Sequence, residues 1–246
     1  MKTSPDDVAA ALGLFFAADE VFEIRVLGAN GNPRWKRSTY CRGKDIDRMA
    51  EKIAAEADTA LAGVHFTPQG VRPEIAKRSL CCLSPVAKGQ KLTSDEDVPC
   101  RRFLLIDVDP VRAAGHEGDS ATGDEKAEAW RVMLDVREYI ARCEWPDPVV
   151  VDSGNGFHAY YRMPETIRGG PVDSATDPVA ILLRSLANRF DTPAAKIDTN
   201  VFNAARTMKV PGTPSRKGPG TTERPHRVSK VISVPNDWPT HTRGEA

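Results

Sequence analysis

Hydrophobic and polar positions in the first hundred residues predict a hairpin followed by a helix. Residues 22–27 alternate like a half-buried strand, residues 28–33 carry Asn-Gly and Asn-Pro turn signals, and residues 35–40 fit a return strand. Apolar side chains then recur at three- and four-residue steps, which predicts an amphipathic helix over residues 45–57. A short apolar segment follows at residues 63–67, and the polar residues 87–99 predict a loop between two units.

The pattern after residue 97 predicts strands and helices in the order βαββαβ. The expected strands are residues 102–107, 148–152, 157–163 and 207–210, and the expected helices are residues 124–142 and 177–190. Thr122 and Glu125 have capping-box spacing at the start of the first of these helices. The order is typical of RRM-like and ferredoxin-like units. We therefore predict an α+β fold with a smaller N-terminal α/β unit (1–97), an RRM-like unit (98–234) and a C-terminal tail (235–246).

Composition adds little until charge is examined locally. The 246 residues carry 34 basic and 34 acidic side chains, so net charge neither favours nor excludes nucleic acid. Residues 201–230, in contrast, hold seven basic residues and the single acid Glu223, and form a basic island. Five cysteines without CxxC spacing predict a reduced, cytoplasmic chain with no structural zinc. No apolar run has the ~20 residues of a membrane span, so no membrane role is expected.

The first candidate for chemistry is FLLIDVDP, residues 103–110. Side chains two apart on a strand point to one face, so Asp107 and Asp109 lie roughly 6.6 Å apart and can share metal ions. Paired carboxylates repel unless a cation compensates them, and Mg²⁺ or Mn²⁺ would do so while binding phosphates. Taken alone, the motif also fits two solvated acids at a strand end.

The second candidate is VVVDSGNGFHAYYRM, residues 149–163. Asn155-Gly156 predicts a tight hairpin turn with positive φ at both residues, and glycines let a backbone approach a phosphate. Ser153 could donate a hydrogen bond beside that approach, and His158 shares a strand face with Tyr160. A histidine at this place is equally compatible with a structural role.

The third candidate is KIDTNVFNAARTMKVPGT, residues 196–213, together with PSRKG at residues 214–218. Asp198 is followed by Arg206, Lys209 and Lys217, which is a suitable set for a complex of metal and triphosphate. The alternative is a basic face on a surface loop.

The three motifs together resemble the archaeo-eukaryotic primase superfamily. Its members share an hhhDhD strand, an SGxGxH turn and an hD motif followed by an arginine. The local sequences LLIDVDP, SGNGFHAYY and ARTMKVPGT are similar to primase-polymerase domains of phage, plasmid and other mobile-element replication proteins. The resemblance covers roughly residues 60–230 and implies the catalytic core fold of that superfamily.

The resemblance also implies roles for individual residues. Asp107, Asp109 and Asp198 would be catalytic and would hold two Mg²⁺ or Mn²⁺ ions. The nucleotide-binding residues would be Ser153, Gly154, Asn155, Gly156, His158, Arg206, Lys209 and Lys217. In that mechanism His158 and Arg206 spread positive charge over the reacting phosphates. Single-stranded or primed DNA and NTP or dNTP substrates are the implied partners, with a helicase or other replication proteins as further candidates.

Two other classes of function remain open on the sequence. A non-catalytic single-strand-binding module would use an RRM-like sheet with surface aromatics such as Tyr160 and the basic island. A nicking replication initiator would need a histidine-held metal and a tyrosine nucleophile, but no second histidine lies close to His158 in sequence.

Overall fold

The computed structural model describes residues 2–239, which form two five-stranded antiparallel sheets, one two-stranded antiparallel sheet and four α-helices. The helices are α1 (Pro5–Gly13), α2 (Ile46–Ala57), α3 (Gly123–Arg142) and α4 (Pro178–Phe190). The strands are β1 (Val21–Leu27), β2 (Lys36–Arg42), β3 (Gly63–Phe66), β4 (Ser84–Pro85), β5 (Cys100–Pro110), β6 (Val149–Asp152), β7 (Phe157–Arg168), β8 (Ala195–Ile197), β9 (Met208–Lys209), β10 (Pro214–Ser215), β11 (Arg227–Val228) and β12 (Lys230–Ser233).

The first sheet has the strand order β4-β2-β1-β3-β9. Its centre is the predicted hairpin, in which β1 pairs with β2 from Val21 opposite Arg42 to Leu27 opposite Lys36. Helix α2 begins one residue after the predicted start and buries its apolar stripe. Helix α1, which the hydrophobic pattern did not predict, begins at the N-cap Ser4, whose hydroxyl accepts a hydrogen bond from Asp7 N–H.

The second sheet has the order β12-β6-β7-β5-β8, and all its pairs are antiparallel. Without β12, its strands follow the fourth-first-third-second order of a ferredoxin-like unit, so the predicted α+β fold with an RRM-like unit is confirmed. The Thr122–Glu125 capping box starts α3 as expected. Helix α3 packs on one face of the sheet, where the Trp130 and Phe157 rings lie 4.8 Å apart.

The last strand of the βαββαβ pattern is not where the sequence placed it. β8 occupies that position, whereas the predicted strand at residues 207–210 is β9, which belongs to the first sheet. There His65 pairs with Lys209 and Phe66 with Met208. β8 has only three residues, too few for an alternating pattern to be visible. The chain therefore returns to the first sheet after β8 and rejoins the second sheet at β12.

The two sheets share one hydrophobic core. The Phe15 ring lies 4.8 Å from the Tyr160 ring and 5.3 Å from the Phe66 ring, which joins the second sheet to the first. Tyr160 is therefore fully buried, and its expected role as a surface stacking residue is wrong. Trp238, inside the predicted tail, stacks on Phe103 and donates to Leu14 O at 2.7 Å.

The unit boundaries at residues 97 and 234 stay predictions, and residues 240–246 of the expected tail lie outside the described residues. Across residues 2–239, every helix is too short or too polar to cross a bilayer.

Candidate active site

Three aspartates meet at the end of β5. Asp107 and Asp109 project from one face of this strand, and β8 runs antiparallel beside it with Val108 opposite Ile197. Asp198 follows β8 directly, and its N–H donates a hydrogen bond to Asp107 O at 2.8 Å. Since opposite residues of an antiparallel pair share a face, Asp198 lies beside Asp107. Acids ninety residues apart in sequence are thus brought to one corner of the second sheet.

The Asp107 carboxylate is not neutralised by a direct partner. Its side chain is 18 % exposed, and within residues 2–239 its buried Oδ1 has no hydrogen-bond partner. Burial, followed by the charges of Asp109 and Asp198, raises the pKa of Asp107 well above its usual value, and Lys217 and Arg206 offset only part of that effect. The corner therefore concentrates negative charge that a cation would relieve.

The turn between β6 and β7 is held by its own side chains. Asp152 Oδ1 accepts from Gly154 N–H at 2.7 Å, and Ser153 Oγ accepts from Gly156 N–H at 3.0 Å. Positive φ occurs at Gly154 (94°), whereas Asn155 and Gly156 keep negative φ. The expected two-residue turn at Asn155-Gly156 is therefore wrong, because these hydrogen bonds stabilise a four-residue loop in its place.

Asn155 and Gly156 connect the turn to the neighbouring segments of the site. The Asn155 amide is used twice within the protein, since Oδ1 accepts from Ala121 N–H at 2.8 Å and Nδ2 donates to Ser215 Oγ at 2.9 Å. A Cβ at Gly156 would lie 2.3 Å from Val108 O and 2.7 Å from Asp109 Oδ1. Glycine is thus required at position 156 for close approach to the acidic strand.

His158 lies opposite Asp107 on β7. Its Nε2 is 3.6 Å from Asp107 Oδ1, and its Nδ1 is 3.4 Å from the Tyr160 hydroxyl. If that hydroxyl donates to Nδ1, the ring proton is on Nε2, facing the acid. Burial lowers the pKa of His158 to about 4, so the ring is neutral at physiological pH. A neutral ring favours hydrogen bonding over the expected supply of positive charge, and the role of His158 in nucleotide binding stays a prediction.

The opposite wall of the site comes from the first sheet. Lys209 on β9 lies beside His65 on β3, and its Nζ donates to Pro214 O at 3.3 Å. A Cβ at Gly63 would lie 2.2 Å from that Nζ, so glycine leaves the space that the ammonium occupies. Burial, then repulsion from Lys217 and Arg216, lowers the pKa of Lys209 to about 8.

His65 is a residue that the sequence reasoning missed. Burial, followed by the charges of Lys209 and His158, lowers its pKa to about 3, and its Nδ1 has no hydrogen-bond partner within residues 2–239. The available signal was a histidine inside the short apolar segment at residues 63–67.

The basic island separates into structural and site residues. Arg216 donates to Ala57 O at 2.6 Å at the end of α2, and Arg224 makes two 2.8 Å contacts with the Glu125 carboxylate. Arg227 donates to Ala121 O at 2.7 Å. Arg206 donates to the Asn200 carbonyl. Most of the island therefore anchors loops.

An ion pair outside the site fixes the segment that carries Asp198. Arg101 and Asp177 are both buried, and the guanidinium contacts the carboxylate at 2.5 and 3.0 Å. Arg101 also donates to Phe202 O at 3.0 Å, and Asp95 accepts from Ala205 N–H at 2.7 Å. The loop from Asp198 to Arg206 is thus held against both sheets.

These walls line an open cleft. It is lined by His65, Asp107, Asp109, Ser153, Asn155, His158, Thr207, Met208, Lys209, Ser215 and Lys217. Of the predicted site residues, Gly154, Gly156, Asp198 and Arg206 are outside this lining. Asp198 and Arg206 are nevertheless close enough to influence the charge of Asp107.

Comparison with known proteins gave structural neighbours alone. No family model and no curated protein matches the chain. Primase RepB′ is similar at 12 % identity and a TM-score of 0.48, over 96 % of this chain and 58 % of that one. The chain thus spans less than two thirds of that neighbour's length.

Two further neighbours are catalytic or polymerase domains solved with DNA. The catalytic domain of primase RepB′ in complex with initiator DNA is 12 % identical, with a TM-score of 0.47, over 96 % of this chain and 89 % of that one. The polymerase domain of Ligase D from Mycobacterium tuberculosis, in complex with DNA, is 16 % identical, with a TM-score of 0.48, over 91 % and 79 %. Structural neighbours of this chain therefore include primase and polymerase domains.

Proposed function

We propose that the chain is a template-dependent nucleotidyltransferase of the primase-polymerase type, which adds nucleotides to a growing strand from nucleoside triphosphates. The observation that carries this proposal is the position of Asp198 beside Asp107 and Asp109, across a cleft from Lys209. Transfer of a nucleotidyl group needs this combination, because carboxylates hold cations while ammonium groups bind the triphosphate.

The acids fit a divalent-cation site by their chemistry. Asp107 Oδ1 is buried without a partner, and Asp109 and Asp198 add negative charge beside it. Oxygen donors of this kind are those that Mg²⁺ and Mn²⁺ prefer. Among residues 2–239 no three acid, histidine or cysteine side chains already surround one point, so the carboxylates would have to turn toward shared ions. Bound there, such ions would neutralise the phosphates and activate the attacking hydroxyl.

The protein's own residues have distinct tasks in this proposal. Lys209, from the wall opposite the acids, and Lys217, also in the lining of the cleft, bind the triphosphate, and Ser153 adds a hydroxyl. His158, neutral at physiological pH, donates a hydrogen bond from Nε2. The primer 3′-hydroxyl loses its proton to water and its oxygen attacks the α-phosphorus. The bond between the α-phosphorus and the oxygen that bridges to the β-phosphate then breaks, and pyrophosphate leaves with that oxygen. Arg206 stabilises the charge that develops on the phosphate oxygens.

The two rival functions are less consistent with the site. Tyr160 is buried in the core and offers no stacking surface on this sheet, which weakens the binding-only alternative. The structure does bring a second histidine, His65, into the cleft, as a nicking enzyme would need. No tyrosine lines that cleft among the described residues, and the Tyr160 hydroxyl beside His158 is buried. A tyrosine nucleophile is therefore missing.

Primer extension by the purified chain tests the proposal. Labelled ribo- and deoxynucleotides are supplied with Mg²⁺ or Mn²⁺ on single-stranded and primed templates, and chelation of the metal should stop synthesis. Asp109→Ala should lower the extension rate at least about 10³-fold. Asp135→Ala, the same change on the exposed face of α3, is the matched control and should extend like the parent. Extension by Asp109→Ala at the parent's rate, or strand cleavage in place of extension, would refute the proposal.

A further inference from the structure

Trp35 is exposed in a way that distinguishes it from the other tryptophans. Its side chain is 56 % exposed, and its ring makes no ring contact within residues 2–239. In contrast, Trp130 packs on Phe157, Trp145 on Tyr161 and Trp238 on Phe103, with ring centroids between 4.8 and 6.2 Å apart. Core packing therefore does not account for Trp35.

The backbone that carries this ring is well fixed. Trp35 N–H donates to Asn32 O at 3.0 Å, and Trp35 O accepts from Gly28 N–H at 3.0 Å and Ala29 N–H at 3.1 Å. Gly28 has a φ of 70°, which the turn requires. An exposed aromatic ring on an ordered turn is preorganised for a planar ligand, because little backbone entropy is lost on binding.

Exposed positive charge lies on the two segments next to the ring. Residues 28–37 and 84–94 contain five basic residues and no acid. Of the five, Arg37 pairs with Glu56, whereas the other four are exposed and form no ion pair within the described part of the chain: Arg34, Lys36, Lys88 and Lys91. Val86 N–H donates to Lys36 O at 2.9 Å, which places the lysine-bearing loop after β4 next to the turn of Trp35. Pro85 and Val86 join Arg34 and Trp35 in lining a groove.

We propose that Arg34, Trp35, Lys36 and Lys88, the Trp35 platform, bind single-stranded nucleic acid. A ring that stacks a base, flanked by cations that contact phosphates, is the combination that single strands require. A base paired in a duplex cannot stack on such a ring without being displaced, and the three cations of the platform, none of which forms an ion pair within the described residues, match the phosphates of a strand. The identity of the strand as a template rests on the proposed function.

The platform lies in line with the cleft. Lys36 pairs with Leu27 and Leu27 with Gly63, the glycine beside Lys209 Nζ. Two strand spacings of ~4.8 Å separate Lys36 from Gly63, so about 10 Å of the first sheet lies between platform and cleft. A strand that crosses this end of the sheet reaches both, so we assign the unpaired part of the template to the platform.

Fluorescence anisotropy of a labelled oligothymidylate with the full chain tests the platform, without metal or triphosphate. Trp35→Ala should weaken binding about tenfold, and Trp35→Phe should retain most of the affinity because it keeps a stacking ring. Arg34→Glu should weaken binding and make the dependence on salt less steep. A blunt duplex should bind more weakly than the single strand and lose little affinity on Trp35→Ala.

Two control variants match these changes on another face of the molecule. Leu134→Ala shortens an exposed apolar side chain of α3, and Arg142→Glu reverses an exposed charge at its end. Both should bind like the parent. Single-strand binding unchanged in Trp35→Ala and Arg34→Glu, or an equal loss of duplex binding, would overturn the proposal. If these substitutions weaken single-strand binding but the parent chain never extends a primer, the platform proposal stands and only the proposed catalytic function is refuted.

Discussion

Asp107 and Asp177 are carboxylates with little exposure that the fold treats in opposite ways. Burial would raise the pKa of Asp177, but hydrogen bonds from Arg101 and from the first N–H groups of α4 outweigh it and lower that pKa. Asp107 has no such partner, and burial together with neighbouring acids raises its pKa. One carboxylate is fully satisfied within the protein, and the other is left available.

The difference separates a structural acid from a candidate catalytic one. A buried charge with a bidentate partner stabilises the arrangement that it joins, whereas a buried charge without one costs stability that only a ligand can recover. Arg101 also donates a hydrogen bond to Phe202 O, so the ion pair of Arg101 and Asp177 supports the loop that carries Asp198 beside Asp107.

The substitution Asp107→Asn should have the largest effect and tests whether Asp107, unlike Asp177, is a catalytic acid. We expect the rate of primer extension to fall by at least about 10³-fold, because the metal-binding charge is lost. The free energy of unfolding at neutral pH should rise, since a carboxyl whose folded pKa is raised destabilises the folded state once the pH exceeds its unfolded pKa. Extension assays and urea unfolding measure the two effects. A variant that is less stable than the parent would show that Asp107 is structural.

Asp177→Ala should show the reverse behaviour. Removing this carboxylate leaves Arg101 buried without its partner and removes the N-cap of α4, so we expect a loss of about 3–5 kcal/mol in unfolding free energy. Urea unfolding measures it, with the exposed Asp135→Ala as control. A loss below about 1 kcal/mol would mean that the ion pair does not support this region.

Lys209 provides a finer test. It faces Asp107 across the cleft without touching it, whereas Arg101 contacts Asp177 directly. Its lowered pKa, about 8, means that its positive charge is present below this pH and lost above it. The dissociation constant for a triphosphate should therefore rise about tenfold between neutral and alkaline pH. Lys209→Arg keeps its charge and should remove that dependence. Titration with a non-hydrolysable nucleotide measures both, and parallel pH profiles would exclude Lys209 from the triphosphate site.

The acids of the site were predictable because their sequence context is local. Asp107 and Asp109 lie at the end of an apolar strand, which the hydrophobic pattern predicts. In the same way, the spacing of Thr122 and Glu125 predicts the start of α3. Asp198 follows a strand of three residues, and its place beside Asp107 depended on the resemblance rather than on any pattern.

The opposite wall was harder to predict because it depends on long-range pairing. No local rule places residues 208–209 against β3, and the sequence reasoning assigned that strand to the other sheet. His65 consequently went unnoticed. The neutral state of His158 is equally a product of burial, which a single sequence does not specify.

The passage of β9 back to β3 has a consequence for dissecting the molecule. A fragment that starts at residue 98 keeps all three acids but removes β3, the only strand with which β9 pairs in the described sheets. In such a fragment β9, which carries Lys209, would have no strand to pair with. The core face that contains Tyr160 would be exposed to water. Cutting the chain at the predicted boundary near residue 97 would therefore destroy the cleft, because residues from both sides of that boundary line it.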